Sequence, residues 1–465
     1  MRSTTMSQGF RLALVCYTAV FTPSFQFQGK GQLAFRRRGP QSLPTPIGNS
    51  LRAAGSDDND APSSDKNLDK NQGMSWTESF NARKEALREE KLAQLKKWCK
   101  ADCSSAVSVT LPDWIRRLDV AEWPFAACGS SSGSVYIANL ETGNLIASNV
   151  VQKENDSAHQ KGDAVTPIGL EETLRLLYGD HDGGGTFAMT FSGNLICEAG
   201  RSGGVNLWRL DSSSQHLVSQ GSMMAVQNKL VTCLELDDDY LWVGTSDGLV
   251  QAFALDHELP LALQSSPELK WDFGSPVLSL SLLPDIGCGV VSTVSGVRLF
   301  SMEDDEEATP IMQPPFDINR QESSVTFALC STIVCSTEND ERTFSVACGG
   351  NDGSLFLQPL SMQSHDEVDW KKPFVQPVWQ LKPRHSGAVQ CMTSPAPGLL
   401  VTASQDGTMR VWDIAQRNCM YQFIGYKVWL GSVWSDGVRL ISDGSDNTVI
   451  AHNFDPAVSE KTELE

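Results

Sequence analysis

No stretch of this 465-residue chain approaches the ~20 consecutive apolar residues that a membrane-spanning helix needs, which argues against stable membrane insertion. Histidine is scarce, at seven, and neither a Gly-rich phosphate loop nor a His-Glu-x-x-His helix occurs, so no cofactor or metal is expected. Twelve cysteines scattered over this length do not make a disulfide framework. Acid is missing from the first 56 residues, which hold seven Lys or Arg but no Asp or Glu. The remainder therefore carries 56 acidic against 30 basic side chains, a net charge near −26. A nucleic-acid binder needs a basic stripe to neutralise phosphates, and the absence of one predicts no nucleic-acid partner.

What the chain does have is repetition. Val401 to Ser404 alternate small and apolar residues, Asp406-Gly407 is a turn dipeptide that tolerates positive φ, and Met409-Arg-Val-Trp412 returns as a second alternating strand. Aligned on the turn, the same pattern recurs as Ser132-Gly133-Ser-Val-Tyr-Ile, Ser202-Gly203-Gly-Val-Asn-Leu and Asp247-Gly248-Leu-Val-Gln-Ala. Further copies are Ser295-Gly296-Val-Arg-Leu-Phe, Asp352-Gly353-Ser-Leu-Phe-Leu and Asp446-Asn447-Thr-Val-Ile-Ala. With the first they make seven, spaced roughly 40 to 70 residues apart. The strands before the turns are short and rich in small residues, as in Ala126-Ala-Cys-Gly and Val346-Ala-Cys-Gly-Gly.

His385, standing about twenty residues before a hairpin that ends in Trp412-Asp413, resembles the WD-repeat β-propeller family. The resemblance implies an all-β fold, a seven-bladed propeller over 105–455; the residues ahead of it read as one α-helix behind a disordered leader. Seven four-stranded blades use about 350 residues as one closed unit, and twelve tryptophans suit rings wedged between blades. After Thr448–Phe454 only the polar tail 456–465 follows, which leaves the last blade short of its outer strand. Ser105-Ala-Val-Ser-Val-Thr-Leu111, an alternating strand without a blade of its own, is expected to complete it and remove an open sheet edge. The other reading is an independent edge strand.

The family also implies a hydrogen-bonded network that rigidifies the loops, mapped here onto His385, Thr402 or Ser404, Asp406 and Trp412. His452 replaces the Trp in the seventh copy, and no other copy has the full set, so those blades rely more on apolar packing.

Residues 1–56 read as a presequence. Leu12 to Phe21 form an apolar run behind Arg2 and Arg11, and Thr22-Pro-Ser24 offers the small residues of a cleavage site. Phe25 would become the new N-terminus, with Ala34-Phe35 as the next candidate junction. The basic, acid-free continuation through Arg36-Arg-Arg38 and Arg52 resembles the bipartite plastid leader of algae with secondary red plastids. The alternatives are a mitochondrial presequence, plain secretion and a cytoplasmic chain. Plain secretion predicts a glycan on Asn155-Asp-Ser157.

Residues 57–74 are polar and read as a disordered linker. A helix is expected over 75–103, with Ser75 or Thr77 as cap and Phe80, Leu87, Leu95 and Trp98 sharing a face. A helix ahead of seven blades resembles the G protein β subunit, but Arg83 and Glu90 occupy places where that family's heptads are apolar. The helix is expected either to pack on the propeller flank or to bind a partner.

Several motifs look catalytic in isolation. Gly129-Ser-Ser-Ser-Gly133 and Gly200-Arg-Ser-Gly-Gly204, with Ser131 and Ser202 at their centres, match the nucleophile elbow. That elbow needs a strand-to-helix turn, and both matches precede β-type segments. Asp180-His-Asp182 with His159 could ligate a metal, but Gly183-Gly-Gly185 makes it a turn. Cys99-x-x-x-Cys103 and Cys330-x-x-x-x-Cys335 lack further ligands nearby. Cys128, Cys197 and Cys348 appear at corresponding strand positions, as buried reduced thiols would. Glu303-Asp-Asp-Glu-Glu307 reads as a solvated loop or as a docking site for a basic partner. The innermost-strand candidates Val277 to Leu282 and Ala388 to Met392 carry no charged residue of the sort an enzyme in the channel would need.

The resulting expectation is a non-catalytic protein-protein interaction scaffold, serving the assembly or regulation of an organellar complex. The alternatives are a propeller enzyme or small-ligand binder using the central channel, and a G protein β subunit-like signalling module. No catalytic, cofactor-binding or metal residue is assigned, and the partner-binding residues are unknown.

Overall fold

The computed structural model describes residues 76–455 apart from 150–184, 201–202, 212–215, 227–228, 257–261, 264–265, 303–308, 313–326, 339–340, 365–366, 370–376, 427–429 and 445–446. The presequence, linker, tail, Asn155 sequon, Asp180-His-Asp182, His159, Ser202 and the 303–307 acidic run all lie outside the described residues.

The fold is a seven-bladed β-propeller with one α-helix before it. Each blade is an antiparallel sheet, and in blades 1 to 6 the strands run outward from the axis in chain order. Blade 1 comprises Ile115–Glu122, Phe125–Ser130, Val135–Asn139 and Asn144–Asn149. Blade 2 comprises Ala188–Ser192, Leu195–Ala199, Gly204–Asp211 and His216–Met224. In blade 3, Val231–Leu236, Tyr240–Thr245 and Leu249–Asp256 are followed by Leu269–Asp272. Blade 4 runs Val277–Leu283, Cys288–Thr293, Gly296–Ser301 and Thr309–Met312. Blade 5 runs Ala328–Glu338, Glu341–Gly350, Leu355–Pro359 and Trp379–Gln380. Blade 6 runs Val389–Thr393, Leu399–Ser404, Met409–Asp413 and Asn418–Phe423. The innermost strands touch in succession, and that of blade 7 returns to that of blade 1.

Blade 7 takes Val433–Ser435, Arg439–Asp443 and Thr448–Asn453 from the end of the chain and Ser104–Thr110 from its beginning. Ser104 lies opposite Asn453 and Thr110 opposite Thr448, with a bulge between Val107 and Val109. The sequence reading placed the closing strand at 105–111. Val109 and Leu111 are buried among Ile115, Leu118, Trp434 and Ile441, so this strand also fills the seam between blades 7 and 1.

The alternation of strand direction puts two kinds of connection at one end of the ring: the turns between second and third strands, and the segments entering each innermost strand. This end is the upper rim below. At its seven turns Gly133, Gly203, Gly248, Gly296, Gly353, Gly407 and Asn447 all have positive φ, from 61° at Asn447 to 145° at Gly296. A Cβ is strained there, and Asn tolerates the left-handed region best among the other residues.

The cores lie between blades. Trp242, Trp271 and Phe300 pack with centroids 5.0–5.9 Å apart in the seam of blades 3 and 4, the two indoles stacked and Phe300 tilted against both. Trp412 is buried between blades 5 and 6. The helix Trp76–Lys100 is only partly docked. Leu95 and Trp98 join the core between blades 6 and 7, whereas Phe80 and Leu87 are 53% and 50% exposed. The expected shared face is thus split, because the lower end of the ring meets only the helix's C-terminal turns.

Candidate functional site

The network mapped from resemblance assembles on blade 6. His385 enters from the segment before the innermost strand, Thr402 lies on the second strand, Asp406 in the turn and Trp412 on the third. His385 Nδ1 is 3.1 Å from Asp406 Oδ2, and its Nε2 is 2.8 Å from Thr402 Oγ1. Trp412 Nε1 donates to the same Thr402 oxygen at 2.9 Å. Every group is satisfied if the neutral ring carries its proton on Nδ1 and Thr402 donates to Nε2. Burial pushes the imidazole pKa down, which favours that neutral form. Burial alone would raise Asp406, but hydrogen bonds from His385, Thr408 and the Ser386 N–H hold its carboxyl well below the usual range.

Thr402 is therefore the hydroxyl of the network. Ser404 does a different job: its Oγ donates to Gly387 O at 3.0 Å and accepts from Asp406 N at 3.1 Å, closing the turn. Thr408, which the sequence reading missed, donates to Asp406 Oδ1 at 2.6 Å. Asp406→Ala should cost roughly 1–3 kcal/mol by stranding buried donors. A melting curve lowered by several degrees would be the expected reading, and an unshifted one would remove the network's structural role.

Blade 7 contains a substitute for this network. Ladder register places Ser442 where blade 6 has Thr402, and His452 where it has Trp412. Tyr426 supplies the third member, with its hydroxyl 3.2 Å from Ser442 Oγ and 3.3 Å from His452 Nε2. His452 is fully buried, and burial pushes its pKa down to about 3. Nothing among the described residues hydrogen-bonds to its Nδ1.

Asp443 in the same blade is pushed up to about 6 by burial, against the Gly431 and Ser432 N–H groups and the field of Arg117. The two shifts have opposite consequences. The depressed histidine stabilises the fold above 6.5, and that stability is lost as pH falls toward about 3. The raised carboxyl stabilises the fold below 3.8, and that stability is lost as pH rises toward about 6. Between about pH 6 and 4 the two oppose one another. Asp443→Asn should thus make stability fall more steeply on acidification, by up to about 1.4 kcal/mol per pH unit. Urea midpoints at a series of pH values measure it, and equal slopes in variant and wild type would refute the compensation.

Blade 1 pins its rim with the roles exchanged. Here the carboxylate sits in the entering segment and the hydroxyls in the turn. Asp113 Oδ1 accepts from Trp114 N at 2.7 Å and Ser131 Oγ at 3.0 Å, while Oδ2 accepts from Ser132 N at 3.1 Å. Burial would raise Asp113, but the Ser132 and Ser130 hydroxyls and the Trp114 and Ser132 N–H groups bring its pKa down to about 2. Ser131, the centre of one elbow match, is accordingly a turn residue followed by a strand.

The channel wall corrects the expectation of uncharged inner strands. Val277–Leu283 and Val389–Thr393 carry no charge, but blade 1 presents Arg117 and Asp119, and blade 3 presents Glu235. These were missed because the strand Ile115–Glu122 looks too polar to lie innermost. Arg117 Nε donates to Phe187 O at 2.7 Å, and Asp119 accepts Phe191 N at 2.7 Å, both tying blade 1 to blade 2. Ser279 Oγ accepts Ser331 N at 3.1 Å between blades 4 and 5, and Ser432 Oγ accepts Leu118 N at 3.1 Å across the closing seam. The polar wall surrounds a cavity of about 130 Å³.

All eleven described cysteines are free. Cys128 and Cys348 occupy equivalent ladder positions opposite Tyr136 and Phe356, and burial pushes Cys348 up to about 12. Cys197 is one place out of register, opposite Leu207, so it faces blade 3 rather than the preceding blade. The expected equivalence of all three fails because a one-residue offset turns a strand side chain to the other face. Cys99 is exposed, and Cys103 is pushed up to about 12 by burial. Among the described residues no three His, Cys, Asp or Glu side chains are grouped as metal ligands, and no helix is long and apolar enough to cross a membrane.

The chain thus forms a seven-bladed ring with a His–Asp–Thr–Trp network in one blade. The chain is 25% identical to WD repeat-containing protein 18 of Danio rerio over 214 residues, covering 44% of this chain and 46% of that protein. The Bos taurus protein of the same name is 22% identical over 241 residues, covering 50% and 51%. Nuclear distribution protein PAC1-2 of Uncinocarpus reesii is 37% identical over 82 residues, 16% of this chain and 18% of that one. The chain thus spans about half or less of the length of the curated relatives it matches. No family profile matches. Together with the blade count, these likenesses support the WD-repeat propeller family, whose members generally act as non-catalytic scaffolds and typically bind other proteins.

Proposed function

We propose that this protein is a non-catalytic scaffold whose rigid ring presents its surfaces to protein partners during assembly or regulation of a plastid complex. One observation carries the reading: Arg117, Asp119, Ser279 and Ser432, four of the polar groups on the channel wall, hold neighbouring blades together. Catalytic groups need a free valence toward a substrate, and these are committed to backbone partners. The acidic run 303–307 offers a docking strip to a basic segment of a partner, and the net charge near −26 of residues 57–465 argues against nucleic acid.

Affinity purification of the tagged full-length chain from isolated plastids tests the scaffold reading. Stoichiometric, salt-stable protein partners are expected, and recovery of the chain alone would count against it. The compartment is tested separately. Residues 1–60 fused to a fluorescent reporter should enter the plastid of an alga with a secondary plastid, and Phe25→Ala should strand the reporter in the outer compartments. Unaltered entry of that variant would move the junction to Ala34-Phe35.

A further inference from the structure

We propose that Arg417 and Lys382, on the outer flank where blades 5 and 6 meet, bind an acidic segment of a partner protein through two of its carboxylates. This rests on the scaffold reading and names the chemistry of one of its surfaces. The starting point is an arginine in an unfavourable place. Arg417 closes the turn between the third and fourth strands of blade 6 with φ 57°. Ladder register makes it the counterpart of Gly143 in blade 1, because Asp413 lies opposite Asn418 as Asn139 lies opposite Asn144. Gly143 has φ 72°, and such left-handed backbone suits glycine but strains an arginine. The two turns are otherwise built alike. Asn139 Oδ1 accepts Glu141 N and Thr142 N at 2.9 Å, and Asp413 Oδ1 accepts Gln416 N at 2.8 Å. Turn geometry therefore does not call for an arginine, and strain kept against that preference points to a use for the side chain.

That side chain is exposed yet held in place. Its guanidinium lies 3.4 Å from the centroid of Trp379, an indole half-buried against Leu357, Leu381 and Trp412. Stacking occupies the face of the guanidinium and leaves its N–H edge, which binds a carboxylate through two parallel hydrogen bonds. Lys382 is also exposed, and its backbone bridges to Asn418, which sets a second cation beside the first. Among the described residues neither cation makes an ion pair. Arg384 is the one that takes Asp352, at 3.6 Å, and Asp413 is engaged by its own turn. Charge complementarity selects the ligand. Residues 370–384 hold Lys371, Lys372, Lys382 and Arg384 but no Asp or Glu, in a chain that is otherwise strongly acidic. Two fixed cations match a short acidic segment and fall short of the basic stripe that nucleic acid requires.

The test is selection of a random twelve-residue display library on the full chain. The recovered peptides are then measured by fluorescence anisotropy against wild type, Arg417→Gly, Arg417→Gln, Lys382→Glu and the control Lys270→Glu. Lys270 is an exposed lysine on the outer strand of blade 3. Peptides rich in Asp or Glu are expected. They should bind both Arg417 variants and Lys382→Glu about tenfold or more weakly, bind the control as wild type, and weaken with salt. Arg417→Gly relieves the turn, so its melting temperature should equal or exceed that of wild type. Arg417→Gln, which keeps a planar amide near Trp379 without the charge, separates lost binding from lost packing. A lowered melting temperature in Arg417→Gly with unchanged peptide binding would make the stack a clasp between blades and overturn the proposal. So would peptides that bind all five proteins equally, peptides without acid, or no enrichment at all. The scaffold reading would then stand or fall on the plastid purification alone.

Discussion

Deleting residues 105–111 is expected to turn a soluble ring into an aggregating one, while deleting 1–74 leaves it soluble. The closing strand pairs along its length with Thr448–Asn453, so its removal bares the backbone donors and acceptors on that edge of blade 7. It also removes Val109 and Leu111 from the seam between blades 7 and 1, where they are 5% and 4% exposed. Burial of two such side chains contributes about 1.5–3 kcal/mol each. The lost ladder hydrogen bonds add to that, against a typical domain stability of only about 5–15 kcal/mol. Light scattering and size-exclusion chromatography of the two truncations measure the outcome. A well-folded, monomeric chain lacking 105–111 would mean that the ring does not depend on this closure.

The seven turns and the strand that follows each were legible because two constraints act at one place. The turn residue must adopt positive φ, and the next strand must alternate between two blade interfaces. Gly407 and Asn447 both reveal the first, and Met409 to Trp412 the second. The blade 6 network was legible through His385, Asp406 and Trp412. Its hydroxyl was left between Thr402 and Ser404, because spacing alone does not distinguish which face of the strand meets the imidazole.

What stayed hidden depends on contacts between blades. Tyr426 stands in for a histidine in blade 7, yet no repeat motif asks for a tyrosine there. Asp113 performs in blade 1, from the entering segment, what Asp406 performs in blade 6 from the turn. Local spacing cannot show that such an exchange preserves the hydrogen bond. Nothing in the local pattern of Ile115–Glu122 marks Arg117 and Asp119 as ties between blades. Their partners, Phe187 O and Phe191 N, lie about seventy residues away in the neighbouring blade.

The helix adds a second lock to the closure, and Trp98→Ala is expected to break it at a cost of about 3–5 kcal/mol. Trp98 is fully buried, and its ring stacks on Phe454 at 4.0 Å with 13° between planes. Its Nε1 donates to Gly437 O at 2.9 Å, and its carbonyl accepts the Tyr421 hydroxyl at 2.8 Å. Gly437 and Phe454 belong to blade 7 and Tyr421 to blade 6, so a single residue fastens the helix to both. Ala101, at φ 57°, ends the helix, and the closing strand begins three residues later. A helix cut loose at Trp98 therefore loosens the strand it leads into. Amide exchange should accelerate over 104–110 in Trp98→Ala while blades 2 to 4 keep wild-type protection. Trp98→Phe, which keeps an aromatic ring against Phe454 but loses the bond to Gly437, should cost only about 1 kcal/mol. If Trp98→Ala lowered stability without any change in exchange over 104–110, the helix would be packed against the ring without helping to close it.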